Sequence, residues 1–218
     1  MRKSPWIALF LLVLVVSGNQ RPAHADVTGT VSIDTSALFG PFELAFIFID
    51  GSGTGDANNT VTLGNFLFGV GGSAGGVDTL LSTGGESGDF SSSVLLTDSA
   101  FLNIFASTFT PGSLLSFDFG FSTNVDAGGT PDELSLALLQ SDGTVVNTQD
   151  PSGANSLLTV NFDAVHPGIA AFASDLTQAP IVIEASAAPE PASLALLATG
   201  LLVALWPLRR RRDLPRLQ

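Results

Sequence analysis

Apolar and polar residues alternate with period two along much of this chain. Leu115, Phe117, Phe119 and Phe121 alternate with Ser116, Asp118, Gly120 and Ser122, which puts one set on a buried sheet face and the other toward solvent. Leu134, Leu136 and Leu138 repeat the pattern, and Asp142-Gly143 then predicts a type I′ hairpin turn toward Val145 and Val146. Residues 42–50 (FELAFIFID) are apolar on both faces, as a central sandwich strand is. Further strands are predicted over 27–33, 61–70, 90–96, 157–162 and 181–185. Loops rich in Gly, Asp and Asn separate them at 51–59, 71–76, 84–88 and 124–131. One segment departs from the pattern: Asp98 is placed to cap a short helix in which Phe101, Ile104 and Phe105 share a face, ended by Pro111-Gly112. About nine short strands predict an all-β fold, an antiparallel β-sandwich that is jelly-roll-like. No fixed-period repeat is visible, which argues against a solenoid or propeller.

The two ends read differently from the middle. Arg2 and Lys3 precede an unbroken apolar stretch from Trp6 to Val16, followed by polar residues and Ala23-His24-Ala25. This is the pattern of a secretory signal peptide over 1–25, cleaved after an A-x-A site at Ala23 and Ala25. At the other end Ala188-Pro189-Glu190-Pro191 leads into the seventeen residues 192–208, whose only hydroxyls are Ser193 and Thr199. Seventeen residues is close to the shortest helix that crosses a hydrocarbon core. Arg209, Arg210, Arg211 and Arg212 follow at once as a stop-transfer cluster, which would leave 213–218 in the cytoplasm. The domain expected outside the inner membrane is therefore 26–187.

The Pro189-Glu190-Pro191 triplet, the apolar helix and the arginine cluster, in that order, resemble the PEP-CTERM sorting tail of Gram-negative bacteria. The resemblance covers 188–212. It implies that an exosortase recognises the triplet and removes the tail, after the secretory translocon and signal peptidase have acted. Hosts of such tails typically make exopolysaccharide, so a surface or matrix location and a polysaccharide partner are implied. The segments Asp34-Thr35-Ser36-Ala37-Leu38, Phe48-Ile49-Asp50-Gly51-Ser52-Gly53-Thr54-Gly55 and Asn124 to Glu133 are also similar to a group of secreted PEP-CTERM proteins of unknown activity. No catalytic residue carries over from that likeness.

Charge changes the picture once the chain is divided. All 8 Lys and Arg residues lie in the two ends, so 26–187 holds 18 of the 20 acidic residues and no Lys or Arg. Such a domain is a poor partner for nucleic acid, whose phosphates need basic side chains. It has no Cys, which excludes disulfides, thiolate metal sites and thiol nucleophiles. Both Trp residues lie in the ends and there is no Tyr. Phe is thus the only large aromatic of the middle, and His166 its only imidazole.

Candidate chemistry is sparse. Gly71-Gly72-Ser73-Ala74-Gly75 matches the nucleophile-elbow pattern, but that motif needs a strand-to-helix turn and a His base. Its flanks are a Phe-rich strand and more glycines, which favours a plain loop. Asp132-Glu133 is a nominal acid–base pair with nothing to single it out among the acids. Neither motif supports an enzyme. Calcium has the better ligand supply, since it takes hard oxygen donors from flexible loops. Asp50 and Asp56 in one loop, with Asp126 and Asp132 in another, are the candidate donors, although neither loop has EF-hand spacing. The competing explanation is a pair of solvated turns in which Asp, Asn and Gly are chosen for their backbone freedom. The reading that follows is a secreted envelope or matrix protein with a structural or adhesive role linked to exopolysaccharide. The alternative is a calcium-dependent polysaccharide-binding module.

Overall fold

The computed structural model describes residues 27–122, 124, 130–162 and 168–185. Ala23, Ala25, Asp126, His166, the 189–191 triplet, the 192–208 segment and Arg209 to Arg212 lie outside them. Twelve strands form two antiparallel sheets, and no helix occurs among the described residues. Sheet A contains β1 (Val27–Asp34), β3 (Thr60–Leu67), β5 (Gly85–Gly88), β6 (Ser93–Thr97), β8 (Leu114–Phe121) and β12 (Ile181–Ala185). Its order is β12-β1-β8-β3-β6-β5. Sheet B contains β2 (Phe42–Ile49), β4 (Ser73–Val77), β7 (Leu102–Thr110), β9 (Glu133–Gln140), β10 (Leu158–Asn161) and β11 (Gly168–Ala171), in the order β11-β10-β9-β2-β7-β4.

The inner faces meet in a core dominated by phenylalanine, as expected of a chain with no other large aromatic in its middle. Phe46 of β2 packs edge-on against Phe117 of β8, with centroids 5.4 Å apart at 88°. Phe162 bridges Phe48 and Phe121 at 5.2 and 4.8 Å. These offset and edge-to-face geometries are the ones that the ring quadrupole favours. A void between the sheets, bounded by Val31, Phe46, Leu63 and Phe119, is about 10 Å³, barely room for one water. The interior is filled by its own side chains.

The strand β3 departs from strict alternation. Val61 and Leu63 point inward, so Asn65 should follow them, yet it is exposed and Phe66 packs on the core instead. The cause is a bulge: Asn65 and Phe66 together oppose Phe117, since Gly64 pairs with Asp118 and Leu67 with Ser116. Asn65 sits in the left-handed region at φ 53°, which Asn tolerates better than most residues. The bulge turns Asn65 outward and returns Phe66 and Phe68 to the core.

Three sequence expectations are corrected. The segment expected to form a helix after Asp98 is strand β7, which pairs with β2 along its whole length, Phe42 to Phe109 through Ile49 to Leu102. Burial of the inward positions Asn103, Phe105, Ser107 and Phe109 outweighs the helical spacing of Phe101, Ile104 and Phe105. The turn at Asp142-Gly143 is not type I′. Only Gly143 has positive φ, and its N–H bonds back to the Gln140 carbonyl, giving a type I turn with a glycine bulge. Finally β4 and β5 (SAGGV and GESG) occupy stretches expected to be loops.

Candidate functional site

Polar side chains bury themselves at the end of the sandwich where β2 and β6 finish and β3 and β9 begin. Asn59, just ahead of β3, is fully buried and is the hub. Its Nδ2 donates to Asp132 Oδ2 at 2.8 Å and to the Asn124 carbonyl at 2.7 Å. Its Oδ1 accepts from the Asn124 N–H at 2.7 Å and from the Ser122 hydroxyl at 3.3 Å. Its backbone N–H points between the two oxygens of Asp98, at 3.1 and 3.0 Å. Asp132 completes the link by accepting from the Gly51 N–H at 2.9 Å. Segments distant in sequence are thereby joined through side chains that have exchanged water for one another.

Asp98 and Asp132 are both buried, at 0% and 6% exposure, and their carboxyls lie side by side with no basic residue anywhere in 26–187 to compensate them. Burial is the main force on Asp98, and it pushes the group up to about 7. The charges of Asp132 and Asp56 act in the same direction, while the Asn59 N–H opposes them.

Asp50 is arranged differently. Its Oδ1 accepts from the Ser52 N–H at 2.8 Å, the Ser52 hydroxyl at 2.7 Å and the Gly53 N–H at 3.0 Å, and its Oδ2 from the Gly55 N–H. Burial raises its proton affinity, but those hydrogen bonds outweigh it and hold Asp50 below the usual carboxylate range. Asp50 thus closes its own loop. Gly51 is needed beside it, because a Cβ there would come within 2.1 Å of the Thr130 carbonyl oxygen. Asp56 accepts from Asn58 and is exposed.

Of the four donors expected for calcium, Asp50, Asp56 and Asp132 therefore converge on one end of the sandwich. Among the described residues no three His, Cys, Asp or Glu side chains stand close enough together to hold a metal. A cation here would draw chiefly on Asp98 and Asp132. Sequence reasoning missed Asp98 as a site residue because it was assigned to a helix cap. Ser73 opens the exposed edge strand β4, paired with Thr110 of β7, so both its neighbours are strands. Asp132 and Glu133 diverge: Asp132 is bound up in the Asn59 network, whereas Glu133 pairs in the ladder with Ile49 and Asn161.

A second polar arrangement lies on the outer face of sheet A. Asp118 accepts from the Thr30 hydroxyl through Oδ1 and from Asn65 Nδ2 through Oδ2, both at 2.7 Å. The hydrogen bond from Asn65 and then that from Thr30 hold its carboxyl below the ordinary range. Thr28, Thr62 and Ser93 surround it on the same exposed face. No protein-family model, curated protein or solved structure matches this chain.

Proposed function

We propose that this chain is an exported protein sorted by an exosortase to the cell surface or extracellular matrix, where it has a structural or adhesive role linked to exopolysaccharide. The observation that carries this reading is the succession Pro189-Glu190-Pro191, an apolar stretch over 192–208 and Arg209 to Arg212, set against a signal-peptide pattern ending at Ala25. Before processing, the 192–208 helix would hold the protein in the inner membrane. Afterwards 26–187 would be free of it. A sandwich whose inner faces are packed with phenylalanine around a void of about 10 Å³ suits a role carried by its surface. The strand succession β1-β8-β3-β6 against β2-β7-β4 supports a jelly roll extended by β9 to β11 on one sheet and by β12 and β5 at the two edges of the other. No catalytic role is proposed for Ser73, which lacks the strand-to-helix turn its motif requires.

Intact-mass measurement of the protein released by its host tests the reading. The expected species begins near Asp26, ends near Pro189 and, having lost Trp6 and Trp206, absorbs almost nothing at 280 nm. A mature species retaining Arg209 to Arg212 would refute the sorting step.

A second reading, a calcium-dependent polysaccharide-binding module, is favoured by one observation: Asp98 and Asp132 are paired and buried with no basic side chain to balance them. A bound divalent ion would supply the missing positive charge. At 100 times its dissociation constant, calcium would add roughly 2.7 kcal/mol of stability. Calcium should then raise the melting temperature more than magnesium does at constant ionic strength, since magnesium demands stricter geometry. Equal effects of calcium, magnesium and ionic-strength-matched sodium would leave only screening.

A further inference from the structure

The outer face of sheet A is built in rows. One row runs Thr28, Gly120, Thr62, Leu95 across β1, β8, β3 and β6. The next runs Ile183, Thr30, Asp118, Gly64, Ser93 across β12, β1, β8, β3 and β6. Ile183 and Leu95 stand at the two sides, 66% and 40% exposed, so the middle is a shallow trough of small polar residues.

The glycines in its floor have no packing reason to be glycine. A Cβ on Gly120 would meet only the Thr28 methyl at 3.6 Å, and one on Gly64 only the Ser93 Cβ at 3.9 Å, both ordinary contacts. Neither has a positive φ. Glycine inside a strand costs stability; Gly64 borders the β3 bulge, which accounts for it, whereas Gly120 lies in an unbroken stretch of β8, the kind of position where another backbone or a ligand comes close. Beside this bare floor Asp118 is held by two side chains, one of them placed by the β3 bulge. An ionised carboxylate offers about four acceptor positions, so two remain for a ligand. The Asn65 hydrogen bond, the larger influence, and that of Thr30 keep Asp118 ionised well below neutral pH.

We propose that this trough binds a linear polysaccharide carrying free amino groups, laid over Gly120 and Gly64 with its ammonium groups on Asp118. The inference rests on the polysaccharide-linked reading above and gives it a site and a ligand class. Charge complementarity selects the amine: 18 acidic residues with no Lys or Arg in 26–187 repel an acidic polymer and draw a cationic one. Shape selects a glycan over a basic protein. The residues facing outward here are small and polar rather than the large apolar ones that anchor protein partners, whereas the Thr28 and Thr62 hydroxyls, two strand spacings or about 10 Å apart across Gly120, suit a chain of sugar rings. With no Trp or Tyr for stacking, affinity comes from charge and hydrogen bonds and falls with added salt.

The test is titration of the full chain, isotope-labelled and held in neutral detergent, with a glucosamine hexamer and with its fully N-acetylated counterpart. The expected result is saturable binding of the free-amine hexamer alone, with amide signals of 28–30, 62–65 and 118–120 shifting. Asp118→Asn should weaken it about tenfold, as loss of a charge-assisted bond does. Gly120→Val should abolish it with the melting temperature held or raised; should that variant fold poorly, Thr62→Lys on the exposed rim gives the same block. Equal binding of both hexamers, or wild-type binding by Asp118→Asn together with the blocking variant, would overturn the proposal. The intact-mass measurement on the tail is independent of all these outcomes, so a failure here leaves the sorting reading standing.

Discussion

Replacing Asp98 with Asn should remove most of the pH dependence of stability between pH 5 and 8. Burial raises this carboxyl from 3.8 to about 7 in the folded state, whereas the unfolded chain releases the proton near the ordinary value. Between those limits the folded state holds more protons, so stability is greatest on the acid side and is lost as pH climbs through 7. At about 1.4 kcal/mol per tenfold in proton affinity, the ceiling is about 4 kcal/mol. Relaxation of the loops and entry of water bring it to about 2 kcal/mol, roughly 4–8 °C for a domain of this size. Asp34, Asp50, Asp89, Asp118, Asp142 and Asp150 lie below their ordinary values, so their contribution is lost only at more acid pH and stays flat across this window. Glu43 is raised by burial and then by Asp78, and adds a slope of the same sign from pH 4.5 upward. Thermal unfolding at constant ionic strength with a chelator present measures the sum. The wild type should melt higher at pH 5 than at pH 8, and Asp98→Asn should be flatter and more stable at pH 8, since Asn still accepts from the Asn59 N–H without burying a charge. A variant with the wild-type slope would show that Asp98 ionises normally and that the buried pair has been misread.

Phe119→Ala should cost about 3–5 kcal/mol in chemical denaturation, because the ring is buried and stacks on Phe121 at 5.4 Å. Gly29→Val should loosen β12 selectively: a Cβ there would meet the Ile183 carbonyl oxygen and the Phe119 ring, each at 2.5 Å. Hydrogen exchange would report early opening of 181–185, and an unchanged pattern would contradict the close approach. Asn65→Val should destabilise by about 1–3 kcal/mol, since a β-branched residue at φ 53° is strained and the bond to Asp118 is lost; Asn65→Gly should cost less, which a comparison of denaturation midpoints decides.

Strands with one apolar face were legible in the chain. The alternation from Leu115 to Phe121 gave β8 with every side chain on its proper face, and residues 42–50 gave β2 at the centre of sheet B. What failed did so for lack of an apolar signal. The short strands β4 and β5 are mostly Gly and Ser, and they exist because a neighbour offers an unpaired edge. In β7 the inward positions Asn103 and Ser107 are polar, so period two was hidden and a helical spacing appeared in its place. Asn103 is tolerated there because it donates to the Ala100 and Phe48 carbonyls and accepts from Gly85. At the polar end of the sandwich, Asp50, Asp56 and Asp132 were picked out by residue type alone. Asp98 was not, because its partners Asn59 and Asp132 come beside it only once three strands are in register. The Asp118 arrangement depends in the same way on a bulge that no local pattern announces.

The pairing of β12 with β1 has a mechanical consequence. Their antiparallel register sets Thr28 against Ala185, so the first and last strands leave sheet A at one corner. A pull transmitted through the residues after Ala185 loads that single rung, then the next, and the ladder opens like a zipper rather than sharing the strain in shear. Among the described residues β12 has no other strand neighbour to resist it. The same corner governs the timing of assembly, since β1 emerges first in any N-to-C passage and waits for a partner that arrives last. Sheet A is complete only when residues 181–185 are through, three residues short of Ala188. A tether at this corner would act as a fuse, yielding at low force while the phenylalanine core stays intact.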